Sequence, residues 1–130
     1  MKVLITGASG FIGSFLVEES LRRGYETWAA IRKNSSKEFL KDERIHFIEL
    51  DFSSEDTLKK QLENVCFDYV IHSAGVTKCL HKEDFYRINT QGTAHLVQAL
   101  LAQKTPIKRF IFLSSLSLFG PIHEKYPYKE

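Results

Sequence analysis

The sequence predicts an α/β fold, a doubly wound parallel sheet in three layers with strand order 3-2-1-4-5. Short apolar runs alternate with amphipathic helical segments along the chain. The connections between them are short, which in alternating strands and helices means parallel pairing with both faces covered. Right-handed crossovers then leave little besides the doubly wound arrangement.

Lys2 to Thr6 is an apolar strand that runs straight into glycines. Phe11 to Arg23 reads as a helix, with Ile12, Phe15, Leu16 and Glu19 on the helical period and Leu21 widening the apolar face. Gly24 stands where a helix-ending glycine belongs, after Arg22 and Arg23, whose charge suits the negative end of the helix dipole. Thr27 to Ile31 is the second strand, Arg32 to Asp42 a polar loop with a helical turn near Phe39-Leu40, and Ile45 to Leu50 the third strand. Ser53 with Asp56 resembles a capping box opening a helix whose apolar face is Leu58, Leu62 and Val65. Asp68 to Ser73 holds the fourth strand, broken by Ala74-Gly75. Lys82 to Gln103 reads as one long helix carrying Phe85, Ile88, Leu96, Val97, Leu100 and Leu101. Gly92 inside it costs about 1 kcal/mol relative to Ala, which a close approach to the sheet would justify. Arg109 to Ser114 is the fifth strand.

Phe110 to Leu113 is apolar on both faces, as a central strand should be, yet it would form a sheet edge, where exposed apolar residues are a liability. Pro121 to Glu130 is polar and aromatic and adds no closing element. The expectation is therefore a single unit over residues 1–130 that is part of a longer protein; a complete domain with an oligomeric edge is the alternative.

Composition excludes several classes. The net charge of +2 comes from well-mixed acidic and basic residues, so no basic stripe points to nucleic acid. No apolar run is long enough for a membrane span or a signal peptide. Cys66 and Cys79 have neither redox nor zinc spacing, and the five His are scattered; free thiols in a reducing cytoplasm and no metal are expected.

Thr6-Gly7-Ala8-Ser9-Gly10-Phe11-Ile12-Gly13 lies between the first strand and the first helix. That context gives a glycine motif its meaning. Gly7 permits the tight turn, Gly10 lets the backbone approach a pyrophosphate, and Gly13 lets the helix pack close to the sheet. Helix N-terminal amides then face the phosphate charge. This is a Rossmann-type site, although the spacing is GxxGxxG rather than GxGxxG. After the second strand an acidic residue selects NAD, and an Arg accommodates the 2′-phosphate of NADP. Here the run is Ala30-Ile31-Arg32-Lys33-Asn34-Ser35-Ser36, with no acid, so NADP is expected in preference to NAD.

The sequence resembles the extended short-chain dehydrogenase/reductase family, which includes nucleotide-sugar epimerases and dehydratases. TGASGFIG is similar to its phosphate loop, implying cofactor contacts at Gly7, Ser9, Gly10, Phe11, Ile12 and Gly13. ELDF at Glu49 to Phe52 resembles its third strand, where Asp51 and Phe52 would meet the adenine. HSAG at His72 to Gly75 resembles the strand end that lies along the cofactor, implying Ala74 and Gly75. RINTQGT at Arg87 to Thr93 resembles its fourth-helix signature, in which Asn89 would organise the active-site backbone. FLSSLSLFG at Phe112 to Gly120 resembles the strand that delivers a catalytic hydroxyl, implying Ser115, with Ser114 and Ser117 as near alternatives. In the segment after the fourth strand, Thr77 could touch the cofactor, Lys78, His81 or Lys82 could meet an anionic substrate, and Cys79 is expected to be inert.

The family completes its site with a YxxxK pair past the serine. The Tyr is a general acid/base whose free pKa of about 10 needs lowering by the Lys. No Tyr here has Lys four positions later: Tyr126 meets Glu130, and Tyr128 sits beside Lys129. The resemblance implies hydride-transfer chemistry in the whole protein, with a nucleotide sugar or another small molecule as substrate and homodimers as a common state. It leaves open an NADPH-dependent carbonyl reductase of the dihydroflavonol-reductase kind, favoured by Arg32. A non-catalytic NAD(P) sensor, without the Tyr-Lys pair, also stays open.

Overall fold

A computed structural model describes residues 1–119, and for Leu118 and Phe119 the backbone alone. The readings placed on Gly120 and on 121–130, including Tyr126, Tyr128 and Lys129, lie outside the described residues.

The elements run β1 (Lys2–Thr6), α1 (Phe11–Arg22), β2 (Glu26–Ile31), β3 (His46–Glu49), α2 (Glu55–Leu62), β4 (Tyr69–His72), α3 (Lys82–Phe85), a π-helical turn (Tyr86–Gln91), α4 (Gly92–Leu101) and β5 (Arg109–Phe112). The five strands form one sheet of order β3-β2-β1-β4-β5, every pair parallel, as the sequence predicts.

Strand alternation divides the core between the two faces. Val3 and Ile5 of β1, with Ala29 and Ile31 of β2, pack against Val17 and Leu21 of α1. Leu40 and Ile45, from the loop that carries β2 across to β3, complete that layer. Leu4, Ala30 and Val70 face the other way, onto Leu58 and Leu62 of α2 and Leu96, Ala99 and Leu100 of α4. Asp68 ties the sheet's lower edge: its carboxylate accepts from the Lys2 amide (2.8 Å) and from the Lys108 ammonium (2.7 Å).

Four local readings change. α1 buries Gly13, Val17, Ser20 and Leu21, whereas Phe11, Ile12 and Phe15 are exposed. Gly13 sets this face, because a Cβ there would lie 2.0 Å from the Gly7 carbonyl oxygen. The cap of α2 is Ser54, not Ser53: its hydroxyl accepts from the Thr57 amide at 3.3 Å, and no reciprocal acid closes a box. The single helix expected over 82–103 is interrupted by the π-helical turn, in which the Gly92 amide bonds Arg87 O. Gly92 meets Phe52 rather than the sheet, with a Cβ placed 3.3 Å from that of Phe52. At β5, Ile111, Phe112 and Leu113 are exposed, so this strand is an edge among the described residues.

Candidate functional site

Register gathers the predicted residues at one edge. Thr6 lies between Ala30 and His72, and His72 beside Phe112. The glycine turn, Arg32, Ala74 and the serines after β5 therefore all leave the sheet at its carboxyl end, where ligands bind in open α/β sheets.

Gly7 turns the chain at φ +67°, and a Cβ on it would come within 2.8 Å of the Ser73–Ala74 backbone. The Gly10 amide closes the turn onto Gly7 O at 2.9 Å. Gly10 caps α1 with no side-chain hydrogen bond, and the first turn of α1 carries no acid. The opening amides of a helix have no intrahelical partner. Those of Phe11, Ile12 and Gly13 thus offer donors and a positive dipole end, with no carboxylate competing for them. These residues fit a pyrophosphate.

At the end of β2, Arg32, Lys33, Asn34 and Ser35 line a concavity of about 360 Å³. Its turn is closed by the Arg32 backbone and by Ser35: Ser35 N–H donates to Arg32 O (2.9 Å) and Arg32 N–H to the Ser35 hydroxyl oxygen (3.0 Å). The Arg32 side chain is left exposed. A larger apolar cleft, about 640 Å³, lies between α1 and the 39–45 segment, lined by Phe11, Phe15, Leu21, Phe39 and Ile45.

Asp51 is held by its own loop. Its carboxylate accepts from the Ser53 amide at 2.9 Å, which holds it below the usual carboxylate range, and its amide donates to Gln61 Oε1. Phe52 is fixed through its carbonyl, which accepts from His95 Nδ1 at 2.9 Å.

Asn89, on the π-helical turn, clamps the loop after β4: its Oδ1 accepts from Val76 N–H (2.8 Å) and its Nδ2 donates to Val76 O (3.0 Å). Gly75 lies against that amide, and a Cβ would be 3.2 Å from Asn89 Oδ1. Thr77, Lys78, His81 and Lys82 are exposed, and Cys79 is half-buried. Ser114, Ser115 and Ser117 are exposed. The Ser115 hydroxyl lies 2.8 Å from that of Ser117 and accepts from the Ser117 amide at 3.2 Å, so it also caps the turn that begins at Leu116. Among the described residues no His, Cys, Asp and Glu group could hold a metal, and no helix is long and apolar enough to cross a membrane.

His72 carries a role that the sequence does not reveal. It is 2% exposed, and its ring bonds Thr6 Oγ1 through Nδ1 (2.7 Å) and Thr93 Oγ1 through Nε2 (2.8 Å). A polar residue ending an otherwise apolar strand was the one available signal. Burial lowers its pKa from 6.5 to about 4. Between those values the unfolded chain binds a proton that the folded chain does not. The stabilisation is therefore complete above pH 6.5 and is lost as pH falls, by up to ~3 kcal/mol near pH 4. Glu19 and Asp42, held at about 2 by arginine partners, lose their contributions only in stronger acid. Urea unfolding should show a midpoint that declines from pH 6.5 to 4.5; a constant midpoint over that range contradicts this assignment.

A parallel 3-2-1-4-5 sheet with a glycine turn feeding a bare helix N-terminus at its carboxyl edge defines a dinucleotide-binding Rossmann protein. More narrowly, the chain belongs to the NAD dependent epimerase/dehydratase family, which it matches over residues 3–130. It is 36% identical to a UDP-glucose 4-epimerase of Klebsiella pneumoniae, covering 100% of this chain and 99% of that one. It is 32% identical to the UDP-glucose 4-epimerase of Bos taurus over 97% of this chain, and spans only 42% of that protein's length. Among solved structures it is similar to the Bordetella bronchiseptica enzyme WbmH in complex with NAD+, with a TM-score of 0.76, 26% identity and coverage of 92% of this chain and 40% of that one.

Proposed function

We propose that this chain is the dinucleotide-binding part of a cytoplasmic nucleotide-sugar epimerase or dehydratase-like oxidoreductase, and that it takes NADP in preference to NAD. The observation that carries the reading is the Gly7 turn seated on the Ser73–Ala74 backbone, which presents the N-terminus of α1 at the carboxyl edge of the sheet. Gly7, Ser9, Gly10, Phe11, Ile12 and Gly13 would hold the pyrophosphate, Asp51 and Phe52 the adenine end, and Ala74, Gly75 and Thr77 the stretch toward the nicotinamide. Arg32 and Lys33 would hold the 2′-phosphate. When bound, the nicotinamide supplies a site that accepts or returns hydride. Ser115 would donate a hydrogen bond to the substrate oxygen: the Ser117 amide uses only an oxygen lone pair, and the Ser115 proton is available when the Ser117 hydroxyl is the donor in the contact between the two. The Tyr and Lys of the catalytic pair would come from elsewhere in the whole protein, which would work as a homodimer.

Arg32 also supports a second reading, an NADPH-dependent carbonyl reductase of the dihydroflavonol-reductase type. Cofactor titration tests the shared claim. NADP is expected to bind at least about tenfold more tightly than NAD, the value of one charge-assisted contact. Equal affinities, or tighter NAD, would overturn the preference. Binding of neither would overturn the function.

A further inference from the structure

We propose that His72 is a positioning residue for the dinucleotide site, the centre of a directional hydrogen-bond circuit that fixes the loop on both sides of Gly75. The proposal rests on the cofactor-binding reading above.

The direction of each bond follows from the donors available. A backbone carbonyl only accepts, so Thr93 Oγ1 must donate to Asn89 O, at 2.6 Å. That uses the single hydrogen of the Thr93 hydroxyl. Thr93 Oγ1 therefore accepts from His72 Nε2–H. The ring is neutral at neutral pH because it is buried. Its Nδ1 is then bare and accepts from the Thr6 hydroxyl. Thr6 Oγ1 in turn accepts from the Ala74 amide at 3.1 Å.

The chain thus runs from Ala74 N–H through Thr6, His72 and Thr93 to the carbonyl of Asn89. The Asn89 side chain continues it to both backbone polar groups of Val76. Ala74 and Val76 flank Gly75, so the circuit begins and ends on the two sides of one residue. It also reaches the glycine turn, because Ala74 is the backbone on which Gly7 packs. Ser73 Oγ adds a strap to Thr6 O at 2.6 Å. The rings of Phe52, Phe110 and Phe112 are centred 5.8 to 6.0 Å from that of His72, which is itself buried. Low local dielectric strengthens such a network and makes any gap in it costly. A serial circuit of this kind transmits a break at its centre to the backbone at both ends.

The test uses the 130-residue chain with nitrogen-15 labelling, and with His72→Phe and Thr93→Val variants. His72→Phe keeps an aromatic ring, a somewhat larger one, and deletes both bonds; Thr93→Val removes one hydroxyl. The His72 ring is expected to be neutral at pH 7 with its proton on Nε2. Each variant should weaken NADP binding about tenfold and shift the Ala74 and Val76 amide resonances. The double variant should be no weaker than the worse single one, because both breaks lie in one circuit. A proton on Nδ1, an imidazolium at pH 7, or folded variants with unchanged NADP affinity and unmoved amides would overturn the proposal. If His72→Phe does not fold, Thr93→Val and the ring resonances decide it. A wild-type chain that binds neither cofactor sinks the functional reading instead, and the tautomer and amide shifts still judge the circuit.

Discussion

Alanine at Gly13 is expected to abolish cofactor binding and to destabilise the fold by about 3 kcal/mol or more, the upper end of overpacking costs. The added Cβ would sit 2.0 Å from Gly7 O, 2.7 Å from Gly7 C and 2.8 Å from Ala8 Cα. All of these are backbone atoms, so no side chain can swing aside. Relief requires α1 to retreat from the turn, which moves its opening amides away from the phosphate position. Gly7→Ala should be nearly as severe, since φ +67° and a contact of 2.8 Å with Ala74 act together. Gly24→Ala supplies the control: φ is +75°, but nothing lies within 4 Å of its Cβ. Its cost should be only that of the left-handed backbone, about 1 kcal/mol, with cofactor affinity unchanged. Thermal unfolding and NADP titration of the three variants check this. A Gly13→Ala chain that melts and binds like wild type would refute the packing argument.

The same glycine explains why the sheet order was legible and the exposed side of α1 was not. Strand order follows from alternation and crossover hand, which local sequence carries. The stripe Ile12, Phe15, Leu16 and Glu19 is as helical in period as Gly13, Val17, Ser20 and Leu21, the residues at or near the buried face. The two stripes differ by somewhat more than one residue's rotation of about 100°, and Leu21, which the apolar reading also included, lies on the second. Hydrophobicity favours the first, yet close approach at Gly13 selects the second, and that contact exists only once β1 and α1 are docked. Ser53 and Ser54 pose a similar one-residue choice, decided by which hydroxyl reaches the Thr57 amide.

The candidate site divides in the same way. Gly7, Gly10 and Arg32 are local signals, each a residue type at a fixed offset from a strand or helix end, whereas Asp51 and Asn89 stand out only through the family resemblance. The circuit through Thr6, His72 and Thr93 joins residues 66 and 21 positions apart. No spacing rule reports such a meeting. The π-helical turn that carries Asn89 is equally silent in sequence, because the apolar pattern of 82–103 continues through it. Turns of this kind are frequent at functional sites, and this one faces Asn89 toward Val76 and its carbonyl toward Thr93.

Replacing Arg32 should change cofactor choice without changing the fold. Arg32→Ala is expected to weaken NADP binding by about 10- to 100-fold, the value of one or two charge-assisted contacts. NAD binding should stay within about twofold, because the ribose 2′-hydroxyl gives the guanidinium no charge to meet. The substitution is clean, since the Arg32–Ser35 turn is closed by the backbone of Arg32 and not by its side chain. Arg32→Glu should go further: the carboxylate repels a 2′-phosphate and can accept from a 2′-hydroxyl, so the preference should invert to NAD. Lys33→Ala should cost less, because an ammonium meets phosphate as a point charge without the two-pronged geometry of guanidinium. The Arg32 contribution should also shrink as salt rises, the side chain being exposed and therefore screened. Titrations of both cofactors at low and high ionic strength measure all of these together. If Arg32→Glu still preferred NADP, the 2′-phosphate would be held elsewhere. If Arg32→Ala weakened NAD and NADP equally, the residue would be supporting the loop and not reading the cofactor.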